Sequence, residues 1–321
     1  MPSAVQSIVA PWAESLTDGE HALITYGIVV AGLALGAALL RGWAVRNEVG
    51  PRYRPSVLTG VCVTGVAFVS YVAIAILFLL GYTHSGGMWR PDDGAALAWS
   101  ARFMDWSVSV PLLVVELVAV SALAAPLARR LRAAGVAAAF LMILLGYLGG
   151  VVVGGGTDEA ALAAFGGVSS VFFAVLYVIV IVTVVRSLPF LPPAARGPYR
   201  AAMLVLLVVW FVYPIVFGLQ GQLWGGGVTT AEQLALCAAD VVAKVGYGVL
   251  LHRVAKVRTA SDVVTGRDTH PESVWLDQVK LADAVAVPSR SAVADSGGRI
   301  LDEEATRTPY EAFEDIGPAE R

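Results

Sequence analysis

An arginine and two carboxylates, Arg102, Asp105 and Glu116, stand inside the apolar run ARFMDWSVSVPLLVVE at residues 101–116, and a later apolar run carries Asp240 and Lys244. At bilayer depth each ionisable group costs on the order of 2.5 to 3.5 kcal/mol by insertion scales, so each needs a partner or a purpose. Their spacing is ordered. Arg102 lies three residues before Asp105, Asp105 four before Ser109 and Asp240 four before Lys244, so each pair shares a helix face. Asp105 and Glu116 are eleven residues apart. That is three turns plus about 20°, which puts both carboxylates on one stripe ~16 Å apart along the axis. Such a stripe could pass protons between two stations. Lys244 is one of only three lysines, and the others, Lys256 and Lys280, fall outside the spans given below. A desolvated lysine amine is a nucleophile toward carbonyls, and a protonated Schiff base is the alternative cation at that position. With that cation and Arg102 set against Asp105 and Asp240, the cluster sums to zero charge. A structural ion-pair cluster tying two helices together would satisfy the same arithmetic, and charge logic leaves both readings open.

These groups must be held by helices in lipid. The 321 residues are 57% hydrophobic and 15% charged, and a mean hydropathy of +0.71 excludes an ordinary soluble domain. Seven hydrophobic stretches of membrane-crossing length are expected, at 21–40, 56–82, 97–123, 134–154, 160–185, 201–219 and 232–251. The fold class is therefore an all-α membrane protein, a seven-helix bundle over residues 21–255 in a cell membrane. Residues 1–20 lack the basic start and apolar core of a secretory signal and read as a short extracellular N-terminus. Arg41, Arg46, Arg129, Arg130, Arg186 and Arg253 are among the basic residues crowding one set of loops, whereas the opposite set has only Arg90. The positive-inside rule then puts the N-terminus outside and the C-terminus in the cytoplasm.

The remainder is less informative. Cys62 and Cys237 fall inside spans as small hydrophobes, so no disulfide framework is expected. The glycine runs GYLGGVVVGGG and WGGGV lack the Lys and Ser/Thr of a phosphate loop and read as close helix packing or turns. No metal-ligand cluster appears, and neither an enzyme nor a nucleic-acid partner is expected. Residues 256–321 form an acidic tail. From residue 259 onward 13 acidic and 6 basic residues give 6 − 13 = −7, and the expectation is disorder, with one short amphipathic helix in SVWLDQVKLADAVAV.

Three motifs resemble the microbial (type 1) rhodopsins. RFMDWSVSVPLLVVE is similar to that family's Arg, counterion Asp, Trp, hydroxyl, Pro and donor-carboxylate pattern; DVVAKVGYG looks like its second counterion Asp and retinal lysine; WFVYP resembles its Trp and Tyr-Pro pocket wall. The resemblance covers residues 21–255. It implies a light-driven outward proton pump in which all-trans retinal is held by Lys244, Asp105 accepts the Schiff-base proton and Asp240 completes the counterion. Glu116 would be the cytoplasmic donor, Arg102 a release gate and Glu232 one member of a release group. Trp106, Trp210, Tyr213, Pro214 and Phe217 are the expected pocket walls, with Leu113, Met142 and Gly146 also on the cofactor. Leu113 matches the residue of green-absorbing proteorhodopsins. Trimers or pentamers are common in the family, so protons, lipid and a homo-oligomer are the implied partners.

Departures from the family pattern carry their own expectations. Ser109 stands where Thr is usual, the second span has no His beside the counterion, and Gln222 replaces a second release carboxylate. Gly166 occupies the place of a bulky Trp, as in xanthorhodopsin-like pumps, where it opens a window for a carotenoid antenna; close helix packing is the alternative. A retinal photosensor or light-gated channel signalling through the tail is the rival function, though the donor carboxylate Glu116 argues against a sensor and Asp105 against a chloride pump. A retinal-free seven-helix transporter or receptor is the rival of another class.

Overall fold

Backbone polar groups in hydrocarbon have no water to pair with, so long apolar stretches satisfy them internally as helices. The computed structural model describes residues 9–220, 222–223, 225–267, 275–276 and 279–280. Helix α1 (Asp18–Ala44) opens on a capping box in which Thr17 Oγ1 accepts from Glu20 N at 3.3 Å and Glu20 Oε2 accepts from Thr17 N at 2.8 Å, an arrangement worth about 1 kcal/mol. Helix α2 (Arg54–Leu80) leads into a hairpin of β1 (Tyr82–Ser85) and β2 (Met88–Pro91). Its turn residues Gly86 and Gly87 have φ of 63° and 80°, the left-handed pair that a two-residue hairpin turn requires. Leu16 pairs with Trp89 and ties the N-terminal segment to that hairpin.

Helices α3 (Asp93–Ala119), α4 (Ala125–Tyr147) and α5 (Glu159–Ser187) follow. A π-helical turn at Leu148–Val152 and left-handed glycines at 154–156 separate α4 from α5. The sixth span is α6 (Pro193–Trp210) and α7 (Val212–Leu219), and the seventh is α8 (Gly226–Val241), a π turn at Val242–Gly246 and α9 (Tyr247–Val264). Consecutive spans pack side by side, and the seventh closes the ring against α1, α2 and α6. Six of the spans are long and apolar enough to cross a membrane by length and composition. The remaining span is α3, which carries Asp93, Arg102, Asp105 and Glu116. Large apolar side chains such as Val69, Leu80, Val171 and Val208 point outward, and the buried set includes Arg102, Asp105, Asp240 and Lys244. Polar inside and apolar outside is what a lipid solvent selects.

Span ends differ from expectation where polar residues extend a helix. The third span runs 93–119 rather than 97–123, the fourth begins at Ala125 rather than 134, and the seventh covers Gly226–Val264 rather than 232–251. The seventh span's helix thus continues past residue 255, the expected end of the seven-helix domain. Val257, Thr259, Ala260 and Asp262 are buried, and their neighbours hold them by specific bonds. Arg258 Nη1 donates to the Val120 and Ser121 carbonyls at 2.8 and 2.7 Å, Thr259 Oγ1 accepts from Gly50 N at 3.0 Å, and Tyr53 OH donates to Asp262 at 2.6 Å. These turns pack on loops rather than lipid, so hydropathy does not register them. In the stretch expected to form a short amphipathic helix, Trp275–Leu276 and Val279–Lys280 instead pair as an antiparallel ladder. The rest of the expected tail, and residues 1–8 of the expected N-terminal segment, lie outside the described residues.

Candidate functional site

Lys244 sits at the centre of the π turn Val242–Gly246. Such single-turn bulges rotate the residues beyond them relative to those before, and they occur often at functional sites. Two prolines shape the facing helices. Pro214 cannot donate to the Trp210 carbonyl, and the sixth span breaks there, with Phe211 N bonding back to Val208 O at 3.3 Å in a tighter turn. Pro111 inside α3 leaves the Ser107 carbonyl without its helical donor.

The expected charges meet. Lys244 Nζ donates to Asp105 Oδ2 and lies 3.2 Å from Asp240 Oδ1, with all three residues at most 2% exposed. Asp240 is held from three sides: its Oδ1 accepts from Trp106 Nε1 at 3.0 Å and Tyr213 OH at 2.8 Å, and its Oδ2 accepts from Tyr71 OH at 2.8 Å. Asp105 is held less completely. Its Oδ1 and the Ser109 Oγ are both buried with no hydrogen-bond partner.

Arg102 is fully buried but reaches the cluster indirectly. It donates to Tyr71 OH at 3.2 Å, to Gln233 Oε1 at 2.6 Å and to Cys237 Sγ at 3.6 Å. Tyr71 therefore links the guanidinium to Asp240. Sequence reasoning missed Tyr71 and Gln233. A tyrosine in the largely apolar VSYVAIAI of the second span is the available signal for the first. Glu232, expected as one member of a release group, is buried with Oε1 unpartnered among the described residues, and it is its neighbour Gln233 that bonds Arg102.

Beside this cluster lies an apolar cavity. Trp106, Trp210, Tyr213, Pro214 and Phe217 line it as expected, with Met142, Gly146 and Gly166 on the side of α4 and α5. Trp106 and Tyr213 packed edge to face, with centroids 5.0 Å apart, form the wall next to Asp240. Leu113 does not line this cavity; it is buried, and its carbonyl accepts from Tyr247 OH at 2.8 Å. A Cβ at Gly166 would stand 2.7 Å from Phe217 Cε1, so the glycine lets the α7 ring approach α5 closely.

On the other side of Lys244 a second cavity of ≈ 240 Å³ is lined by Lys244, Glu116, Gly60, Gly248, Arg41 and His252, among others. Its walls are largely apolar, with Glu116, Lys244, His252, Arg41, Ser56 and Thr64 as the polar points, and it has room for several waters. Glu116 is 3% exposed, and its Oε2 has no hydrogen-bond partner. The carboxyl fits there because the facing positions are glycines: a Cβ at Gly60 would lie 2.8 Å from Glu116 Oε1, and one at Gly248 would lie 3.9 Å away.

A buried lysine between two carboxylates, beside an aromatic-walled cavity, is the geometry with which known proteins can be compared. The family described as bacteriorhodopsin-like protein matches residues 19–257. The chain belongs to that family. Bacteriorhodopsin-I of Haloarcula marismortui is 30% identical over 276 residues, covering 75% of this chain and 93% of its own. The blue-light absorbing proteorhodopsin of a gamma-proteobacterium, Hot 75m4, is 26% identical over 72% of this chain and 85% of its own length. Among solved structures, a thermophilic rhodopsin superposes with a TM-score of 0.71 at 27% identity, covering 78% of this chain and 98% of that one. Xanthorhodopsin, described as a light-driven ion pump with dual chromophore, gives 0.67 at 28% identity, covering 77% and 98%. This bacteriorhodopsin-like chain is thus a multi-pass membrane protein of the seven-helix rhodopsin type.

Proposed function

We propose that the protein is a light-driven outward proton pump with retinal bound as a Schiff base to Lys244. The observation that carries this reading is the position of Lys244: it meets Asp105 and Asp240 on one side and shares a cavity with Glu116 on the other. The residues present fit the chromophore, with a nucleophilic amine, a paired anionic site and an apolar cavity walled by Trp106, Trp210, Tyr213 and Phe217. When bound, all-trans retinal supplies light absorption and an isomerisation that alters the surroundings of the Lys244 nitrogen.

The chain's own groups perform the proton steps. Asp105 takes the proton at the carboxylate oxygen that already accepts from Nζ, and its second oxygen, unpartnered beside Ser109, leaves room for the neutral acid. Asp240, fixed by three donors, remains the anion that keeps the site balanced. Arg102, reached through Tyr71, responds to the loss of charge at Asp105 by shifting toward the hairpin end, where a proton leaves. Glu116 gives its proton through the second cavity toward Lys244 and refills from the opposite end. The excess of arginine in the loops at that refilling end supports its assignment to the cytoplasm. Two extensions of this reading are a homo-oligomer in the plane of the membrane, for which cross-linking is the test, and a carotenoid antenna at Gly166. For the antenna, energy transfer seen in the excitation spectrum after carotenoid is added is the test.

Light on unbuffered cells that express the chain and are supplied with all-trans retinal tests the pump directly. Acidification of the medium that a protonophore abolishes is expected. A coloured protein that moves no protons would sink the pump in favour of a sensor, and colour that survives Lys244→Ala would refute the attachment site.

A further inference from the structure

The second cavity does not end at Glu116. Lys244, Gly248 and His252 follow one another at intervals of four along the seventh span, and all three line the same cavity. Gly248 and His252, beyond the π turn, share one face of α9 a turn apart, rising ~6 Å, and the cavity lining places Lys244 on the same side. Gly248 is the position facing the Glu116 carboxyl. His252, one turn further on, stands at the end that also holds Arg41. The imidazole is 91% buried, its exposure being 9%. Its Nε2 lies 3.3 Å from Glu48 Oε2, and its Nδ1 is buried with no hydrogen-bond partner among the described residues. Lys256, one more turn along α9, reaches the same Glu48 oxygen at 3.0 Å. Glu48 itself is about one-third exposed and belongs to the connection between α1 and α2, so it meets bulk water.

We propose that His252 is the proton-collecting station of this cavity, taking protons at the Glu48–Lys256 cluster and passing them to Glu116. The inference rests on the pump reading and extends it. Glu48 Oε2, held by Lys256, draws a proton from bulk water to the cluster, and the imidazole takes it up and becomes imidazolium. Nδ1–H then gives its proton through cavity water to the Glu116 carboxylate that the preceding turnover emptied. The ring is left neutral with its proton on Nε2, and proton exchange with cavity water returns it to the Nδ1–H tautomer before the next turnover; Glu48 is again a carboxylate, so each cycle moves one proton inward. Imidazole suits this step because it alone among unperturbed side chains changes charge between pH 5 and 8. The charged and titratable groups around it are Arg41 from α1, Glu48 from the α1–α2 connection, Glu116 from α3 across the cavity, and Lys244 and Lys256 on its own span. The facing residues of α2 that line the cavity, Ser56, Gly60 and Thr64, carry no charge.

The test is flash-induced proton uptake by the retinal-loaded full chain, followed with a pH-indicator dye from pH 5 to 8, together with ¹⁵N NMR of the His252 ring in the dark. In the parent chain, uptake should accelerate as pH falls through the range in which the NMR signal titrates. His252→Asn should slow uptake three- to tenfold near pH 7 and flatten that profile, and added imidazole should restore the rate. Glu48→Gln, on the exposed partner, should give a weaker slowing of the same kind if the histidine variant fails to fold. A merely structural histidine would shift thermal stability and leave the uptake profile parallel to the parent's. Normal acidification with an unchanged profile in both variants, or slowing that imidazole does not relieve, overturns this proposal alone. Absence of any light-driven uptake in the parent chain overturns the pump reading as well.

Discussion

The two sides of Lys244 are built on opposite plans. Toward the hairpin end, Asp240, Tyr71, Arg102, Trp106, Tyr213 and Gln233 form one continuous hydrogen-bond network in which both Asp240 oxygens are satisfied. Toward the other end, Glu116 has an unpartnered oxygen, two glycines beside it and a cavity in front of it. In a low-dielectric interior a carboxylate with several donors and nearby cations is at home as an anion, whereas a lone carboxyl resists ionisation. The same carboxyl chemistry is thereby given two different surroundings. On the proposed reading, one half of the bundle stores charge and the other stores a proton.

Removing the carboxylate on each side should break that contrast most sharply. With Asp105→Asn the proposed proton acceptor beside Nζ is gone, and light-driven acidification should fall below about one-hundredth of the parent rate while the protein stays coloured, in line with the 10²–10⁴-fold worth of positioned proton-transfer groups. Glu116→Gln should leave the release of a proton intact and slow the following uptake by about 100-fold, with azide restoring it by carrying protons through the cavity. Flash photolysis with a pH-indicator dye separates the two. If Asn at 105 slowed only uptake, or Gln at 116 slowed only release, the division of labour between the halves would be wrong.

How far this contrast could be read from the sequence depends on the range of the interactions involved. Lys244, Asp240 and Asp105 are legible because a charge in an apolar run is expensive and helical spacing fixes its face. The pocket wall was legible through its aromatic and proline residues. Tyr71 and Gln233 were not, because each looks ordinary in its own helix and gains its meaning only when α2 and α8 bring it to Arg102. Gly60 is a stronger case: nothing in its neighbourhood in the chain shows that its missing side chain makes room for Glu116 on another helix. The last turns of α9 escaped hydropathy because Thr259, Arg258 and Asp262 are polar and pack on loops.

The glycine gives a sharper probe than the carboxyl itself. In Gly60→Ala the new Cβ would stand 2.8 Å from Glu116 Oε1, closer than such contacts occur, so the carboxyl must rotate or move within the cavity. Proton uptake should slow several-fold, roughly tenfold at most, while the absorption maximum shifts little because the network around Asp240 is untouched. Alanine is also the better helix former, by about 1 kcal/mol. A melting temperature close to the parent's would therefore accompany the kinetic change. Unchanged uptake kinetics would show that the fit of Glu116 against Gly60 has no part in its function.

The smallest effect tests how the end of the bundle beyond Glu116 is held together. Tyr53, buried at the start of α2, donates to Asp262 at the end of α9 at 2.6 Å, and Arg52 lies 3.5 Å from the same carboxylate. Burial and that hydrogen bond push the phenol from 10.0 up to about 12. Because the folded chain holds this proton more tightly than the unfolded chain, the contribution is complete below pH 10 and is lost as pH rises from about 10 to about 12, the unfolded and folded values. At 1.36 kcal/mol per unit the pH-dependent part is at most ~3 kcal/mol. Tyr53→Phe should lower the melting temperature at pH 8 by a few degrees, reflecting the loss of one buried hydrogen bond worth ~1 kcal/mol. It should also flatten the fall in stability between pH 10 and 12 relative to the parent. An equally steep alkaline fall in the variant would mean that the latch between α9 and α2 does not depend on the phenolic proton, and that Arg52 and Arg258 hold Asp262 and the end of the helix by themselves.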